Sequence, residues 1–204
     1  MKRAFIDAAS HAHRANGCDG SHASGMLRCA LFHLAACPRA MTYSRQARFD
    51  DIAATLGYRF DGEIKVGGHY VPVMRNDSEV YVSGQIPRVD NTVVVTGRAG
   101  ADVSLADAQR AAQVCVMRAL ALLAREAGSL DCIRRILRIT VYVQCAADFT
   151  LQSEVADGAS DVLHAVLGDA GRHTRTSVGV YQLPKNATVE LDLVAALEDA
   201  GEPR

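Results

Sequence analysis

The run TRTSVGVYQLPKNATVELDLVA, residues 174–195, begins with an arginine, Arg175, on an otherwise β-branched and apolar stretch, and its second half carries a glutamate, Glu190. A guanidinium can hold an anion through two parallel hydrogen bonds, and a carboxylate can orient or deprotonate water. Whether the pair forms a site depends on which sheet face each occupies. A second set with chemical capacity is Cys29, His33 and Cys37 in CALFHLAAC, which fall at i, i+4 and i+8 on one helical face. That segment has no scaffold of its own, and an isolated motif is a weak metal signal. The expected site therefore uses no metal and no cofactor.

The elements that must position these groups lie after residue 40. Residues 1–40 carry four of the seven histidines and three of the six cysteines without periodicity. They are expected to be a poorly ordered extension, with Met41 an alternative start, followed by a single domain over 41–204. The run ending LAAC at Cys37 imitates a lipoprotein signal, but it is short and interrupted by His33, whereas a signal core wants about 7–15 apolar residues.

Length and charge narrow the class further. A chain of 204 residues can bury one real core. Its 22 basic and 23 acidic side chains nearly cancel, so the footprint of a dedicated nucleic-acid binder is missing. No CxxC pair occurs among the cysteines, and Cys115, Cys132 and Cys145 lie in apolar patterns. They read as buried thiols of a reducing, cytoplasmic compartment. No run approaches the roughly 18 apolar residues of a bilayer span.

The spacing predicts a helix within RFDDIAATLGYRF, capped by Asp50 or Asp51 and stopped near Gly57. Two short strands follow around Asn76, Asp77 and Ser78, and TVVVTGRAG reads as a third. Ser104 with Asp107 opens a long helix whose apolar spacing runs to Gly128. IRRILRITVYVQC is a strand, FTLQSEVADGASDVLHAVLG a helix, and the opening run supplies two strands. The order is that of an α+β domain with two helices on one sheet face. Alternation puts Leu137, Ile139, Val141, Val143, Val189, Leu191 and Leu193 under the helices. It puts Arg138, Thr140, Tyr142, Tyr81, Ser83, Arg175, Ser177, Tyr181, Glu190 and Asp192 on the other face, which is too amphipathic for plain surface and is expected to meet another subunit. If the last two strands form a hairpin around Pro184, Arg175 and Glu190 are too far apart to pair and each is completed by a neighbouring chain.

GHYVPVMRNDSEVYVSGQIP (Gly68–Pro87) and TRTSVGVYQLPKNATVELDLVA (Thr174–Ala195), with the order of elements between them, resemble the Rid family of reactive-intermediate deaminases, also called YjgF. The likeness covers about residues 60–197, and VADGAS (Val155–Ser160) is similar to the branch carrying a Gly-Asn-Tyr-Val-Pro motif. The resemblance implies a chorismate-mutase-like mixed sheet with two helices on one face, a homotrimer, and ligand clefts between subunits. It further implies that Arg175 grips a substrate carboxylate, that Glu190 places the attacking water, and that Tyr70, Ser83 and Gly84 line the cleft. Two departures stand out: Ser177 replaces a frequent cysteine, and the position of a common cleft asparagine falls on Arg118 or Ala119.

Three function classes follow. A hydrolytic deaminase of 2-imino acids needs only a held carboxylate and a positioned water, because an imine is already an activated electrophile. A ligand-binding trimer without turnover would agree with the changes at Ser177 and Arg118. A ribonuclease has least support, since no basic stripe or stacking platform is visible. The expected partners are further copies of the chain and a small carboxylate-bearing anion, with no membrane and no nucleic acid.

Overall fold

The structure is a computed structural model that describes residues 43–64 and 67–198. The expected extension over 1–40, with its candidate metal ligands, lies outside the described residues. Helix α1 spans Arg45–Leu56; the Ser44 hydroxyl accepts the Ala47 N–H and Gly57, at φ 74°, ends it. The cap falls earlier than Asp50 or Asp51, whose carboxylates instead accept hydrogen bonds from Gln46 and Tyr43 on the helix flank.

Strands β1 (Val73–Asn76) and β2 (Glu79–Gln85) form the expected hairpin. The third expected strand is mostly not one. Only Thr92–Val93 (β4) pairs, with Arg88–Val89 (β3), in a separate ribbon. Gly97 and Gly100, both at positive φ, then turn the chain along the end of the main sheet, where Thr96 bridges Ala187 and Ala99 bridges Cys145. A side chain at either glycine would collide with Asp102 or Phe149.

Helix α2 spans Leu105–Ala127 between its Ser104 cap and Gly128, β5 spans Ile133–Gln144, α3 Gln152–Leu167, β6 Thr174–Val180 and β7 Val189–Leu197. The sheet order is β1-β2-β7-β5-β6, with only β5 and β6 parallel. The α+β fold with α2 and α3 on one face is as expected, but the β6–β7 hairpin is not. The α3 crossover delivers β6 beside the outer edge of β5 in parallel, and the chain then crosses the end of β5 to insert β7 between β5 and β2.

Ile139, Val141, Val143, Val189, Leu191 and Leu193 are buried under the helices as expected, but Leu137 is only half-buried, because the β5–β7 ladder slips between Ile136 and Arg138 and Ile136 takes the core position. Cys115 is buried with them, while Cys132 and Cys145 are only half-buried. VADGAS gains a physical reading here. Ala156 and Ala159 are fully buried, and a Cβ on Gly158 would lie 2.5 Å from the Gln109 carbonyl oxygen of α2. Gly158→Ala is expected to destabilise the protein by about 1–3 kcal/mol, because overpacking outweighs the roughly 1 kcal/mol gain in helix propensity. A thermal melt at or above wild type would contradict this.

The face opposite the helices exposes Met74, Tyr81 and Val178. Met74 faces Tyr81 in register, and Val178 faces Tyr142. Among the described residues no helix or strand covers this face.

Candidate functional site

Between Val82 and Gln85 the β2–β7 ladder slips: Val82 pairs with Leu193 but Gln85 with Leu191, leaving an extra residue on β2. This bulge at Ser83–Gly84 opens space beside Glu190. A Cβ on Gly84 would fall 2.0 Å from Glu190 Oε1 and 2.9 Å from its Cδ, so the glycine leaves room for the carboxyl group. The Ser83 N–H donates to the Pro72 carbonyl at 2.9 Å, and Gln85 Nε2 donates to the Ser83 carbonyl at 3.0 Å.

The space is a cavity of about 240 Å³. Ser83, Gly84 and Glu190 form its sheet wall, Tyr70 and Pro72 lie towards the exposed segment before β1, and Arg118 enters from α2. The turn Pro184–Lys185 and Arg88 of the small ribbon complete it. Two larger concavities carry less chemistry. One, of about 470 Å³, lies between α1 and α2 and is walled by Phe49, Ala53, Phe60 and Leu130, with Arg59 and Asp61 paired to each other at its rim. The other, of about 670 Å³, is an open trough at the end of β6 beside Arg98 and Tyr181.

Burial, and secondarily Asp192, holds the Glu190 carboxyl above the usual carboxylate range. Arg118 is only 6% exposed. Its Nη1 donates to the Arg88 carbonyl, its Nε has no partner, and burial with Arg88 beside it pushes its pKa down to about 10.

Of the residues expected from sequence, Tyr70, Ser83, Gly84, Arg118 and Glu190 converge on this cavity; Arg175 and Ser177 do not. Their face is also corrected. In the parallel register Arg175 is level with Ile139 and Ser177 with Val141, so both point to the helix side, while Glu190 shares the opposite face with Tyr142. Within one chain Arg175 and Glu190 are two strands apart, about 10 Å across the sheet, and offset by a further three residues, about 10 Å along it. Arg175 is held by α3: Nη1 donates to Asp157 Oδ1 at 2.8 Å and Ser160 Oγ at 2.9 Å, and Nη2 to Ser153 Oγ at 2.9 Å.

Arg88 and Lys185 went unnoticed in the sequence. The signal for Lys185 was the Leu-Pro-Lys-Asn turn, where Lys185 and Asn186 both have φ 56°. Arg88 follows the Ser-Gly-Gln-Ile-Pro run but lies on a two-residue strand too short for periodicity.

The comparisons agree with this architecture. Residues 52–197 match the family described as "YjgF/chorismate mutase-like, putative endoribonuclease". Protein TCP17 of Trypanosoma cruzi is 35% identical over 145 residues, 71% of this chain and 91% of that protein. A structure of a protein of unknown function from Agrobacterium tumefaciens is 35% identical with a TM-score of 0.68, covering 76% of this chain and 92% of its own. Escherichia coli TdcF, solved with bound serine, is 22% identical with a TM-score of 0.52, covering 69% and 98%. The chain belongs to the YjgF/chorismate mutase-like family. No helix among the described residues is long and apolar enough to cross a membrane.

Proposed function

We propose that the chain is a hydrolytic deaminase of small 2-imino acids, working as a homotrimer in which each cavity is completed at a subunit boundary. The observation that carries this reading is the Glu190 carboxyl, half-buried in space that Gly84 leaves open, in a cavity that buried Arg118 and Arg88 also line. A water held by Glu190 adds its oxygen to the imine carbon and yields a proton to the carboxylate. Glu190 passes that proton to the nitrogen to give a neutral carbinolamine; as the C–N bond breaks, the carbinolamine hydroxyl gives its proton through Glu190 to the nitrogen, leaving a keto acid and ammonia. Arg175, brought by a neighbouring copy, would orient the substrate carboxylate. The edge position of β6 and the uncovered apolar face with Met74, Tyr81 and Val178 support assembly of this kind.

One observation favours a second reading, a binding trimer without turnover: the Arg175 guanidinium already has Asp157 and two serine hydroxyls as partners. TdcF shares the fold at 22% identity, and its serine says nothing of the ligand here. The cavity suits one small ligand and basic and acidic side chains nearly balance, so RNA ranks below both.

The deciding assay generates 2-imino acids with an amino-acid oxidase and follows ammonia and keto-acid release. Acceleration over buffer is expected; rates equal to buffer across short, branched and aromatic imines would leave the binder. The raised pKa of Glu190 adds a pH signature. Its carboxyl is easier to protonate in the folded chain than in the unfolded one, so its contribution to stability is full below the ordinary glutamate range and is lost as pH rises through the folded value. At pH 7 Glu190→Gln should therefore melt at or above wild type while turnover is lost, with the stability gap closing in acid. A variant that melts lower than wild type at pH 7 but not in acid would contradict this assignment.

A further inference from the structure

The cavity holds more positive charge than a single carboxylate needs. Arg118 is nine-tenths buried, lines the cavity, has an Nε without a partner and makes no ion pair with any carboxylate among the described residues. Its Nη1 donates to the carbonyl of Arg88, a residue that is itself only 9% exposed. Arg118 and Arg88 thus both line the cavity and both are largely withdrawn from bulk water. Taking a cation out of water without a counter-ion is costly, and a neighbouring cation adds to the cost. The carboxylate of Glu190 lies in the same cavity but is not within ion-pair distance of Arg118. The space between them is where an anionic group of a ligand would relieve the charge.

We infer that the cavity selects ligands with a second acidic group, held by Arg118, so that the substrate class is a short dicarboxylic 2-imino acid. The inference rests on the deaminase reading for its chemistry and deepens it. The carboxylate next to the imine goes to Arg175 of a neighbouring copy, the imine carbon stands by Glu190, and the distal carboxylate reaches the α2 side. Lys185, on the turn opposite, adds a third positive charge to the lining. Arg118 is a specificity-determining residue here, while Glu190 handles the water.

The test compares imines made by oxidation of aspartate or glutamate with those from alanine or leucine. Wild type should favour the dicarboxylic imines by at least tenfold in kcat/KM, and Arg118→Met should lower that preference by at least tenfold. Exchange of a buried charge for an apolar side chain of similar volume is commonly tolerated. Arg118→Lys, which keeps a charge without the planar fork, should retain part of the preference and serves if Arg118→Met does not fold. Thermal shift with succinate or 2-oxoglutarate against propionate or pyruvate supplies a readout independent of turnover. Stabilisation by the diacids that vanishes in Arg118→Met, with no imine hydrolysed, would uphold the ligand class and overturn the deaminase reading. Turnover of monocarboxylic imines with no diacid preference in rate or melting would overturn the inference and leave the deaminase standing. So would a preference that survives in Arg118→Met.

Discussion

Gly84→Ala should lower kcat/KM for imine hydrolysis by at least about 100-fold, equivalent to roughly 2.7 kcal/mol of lost transition-state stabilisation. The methyl group would lie 2.0 Å from Glu190 Oε1, 2.9 Å from Cδ and 3.1 Å from Cγ, so the whole carboxyl end must swing away. Gly84 is not among the glycines at positive φ, so alanine brings no backbone strain of its own. The fold should consequently survive, because a single side chain can yield where a backbone could not. Circular dichroism and melting close to wild type, with activity lost, are the expected pair of results. Wild-type kinetics in this variant would show that the Glu190 carboxyl is not needed where it stands, and the proposed mechanism would fall.

Arg175→Ala should also cost at least about 100-fold in kcat/KM, for a different reason: a bidentate, charge-assisted hold on the substrate carboxylate is gone. The competing account makes Arg175 a fastening between β6 and α3. Stability separates the two. The Arg175–Asp157 pair is 20% and 52% exposed, and pairs so open to solvent contribute about 0–1 kcal/mol. Arg175→Ala should therefore melt within a few degrees of wild type and sediment as the same oligomer. Asp157→Asn, which keeps an acceptor for the guanidinium, should stay active. If Arg175 only fastens the strand, both variants lose stability and neither loses turnover. Arg175→Lys should restore little, since a point charge does not reproduce the fork. Because the arginine and Glu190 lie on opposite faces of one chain, mixing and refolding the two inactive variants Arg175→Ala and Gly84→Ala should recover part of the activity in mixed assemblies. Recovery of none would deny a site shared between copies.

Local chemistry made the helices readable. Ser104 with Asp107, Gly128 and Gly57 terminate elements through hydrogen bonds and backbone angles that depend only on neighbouring residues. Alternation likewise read β7 and the second half of β5, because both are central strands with one face under helices, but a bulge between Ile136 and Arg138 puts Ile136 in the core in place of Leu137. It failed on β6. As an edge strand β6 turns Arg175 and Ser177 toward the polar flank of α3 and exposes Val178, so its apolar residues mark the open face. The hairpin error has a related cause: a strand's pattern reports what lies above and below it, and nothing about which strand lies beside it. Four cavity residues, Tyr70, Ser83, Gly84 and Glu190, were legible because they lie in motif-bearing runs, Arg118 only through its place on the long helix, and Arg88 was not because two residues of ribbon have no period. Gly84 was legible as a residue of the site, but its purpose, space for a carboxyl group, depends on the bulge that sets β2 against β7.

The connection from β6 to β7 is fastened to the end of β5 by one amide side chain. Gln144, fully buried at the end of β5, accepts the Leu183 N–H on its Oε1 at 2.8 Å and donates from Nε2 to Asn186 Oδ1 at 2.6 Å. Its backbone N–H donates to Thr188 and its carbonyl accepts from Ala99. The strap and the turn that presents Lys185 are thus pinned to the same residue of the sheet. That wall of the cavity has no hinge of its own, because leaving the sheet would strand a buried amide group without partners. On the opposite side the cavity is bordered by Tyr70, which is 53% exposed. The turn that presents Lys185 is therefore a fixed rim, set in place by the sheet itself.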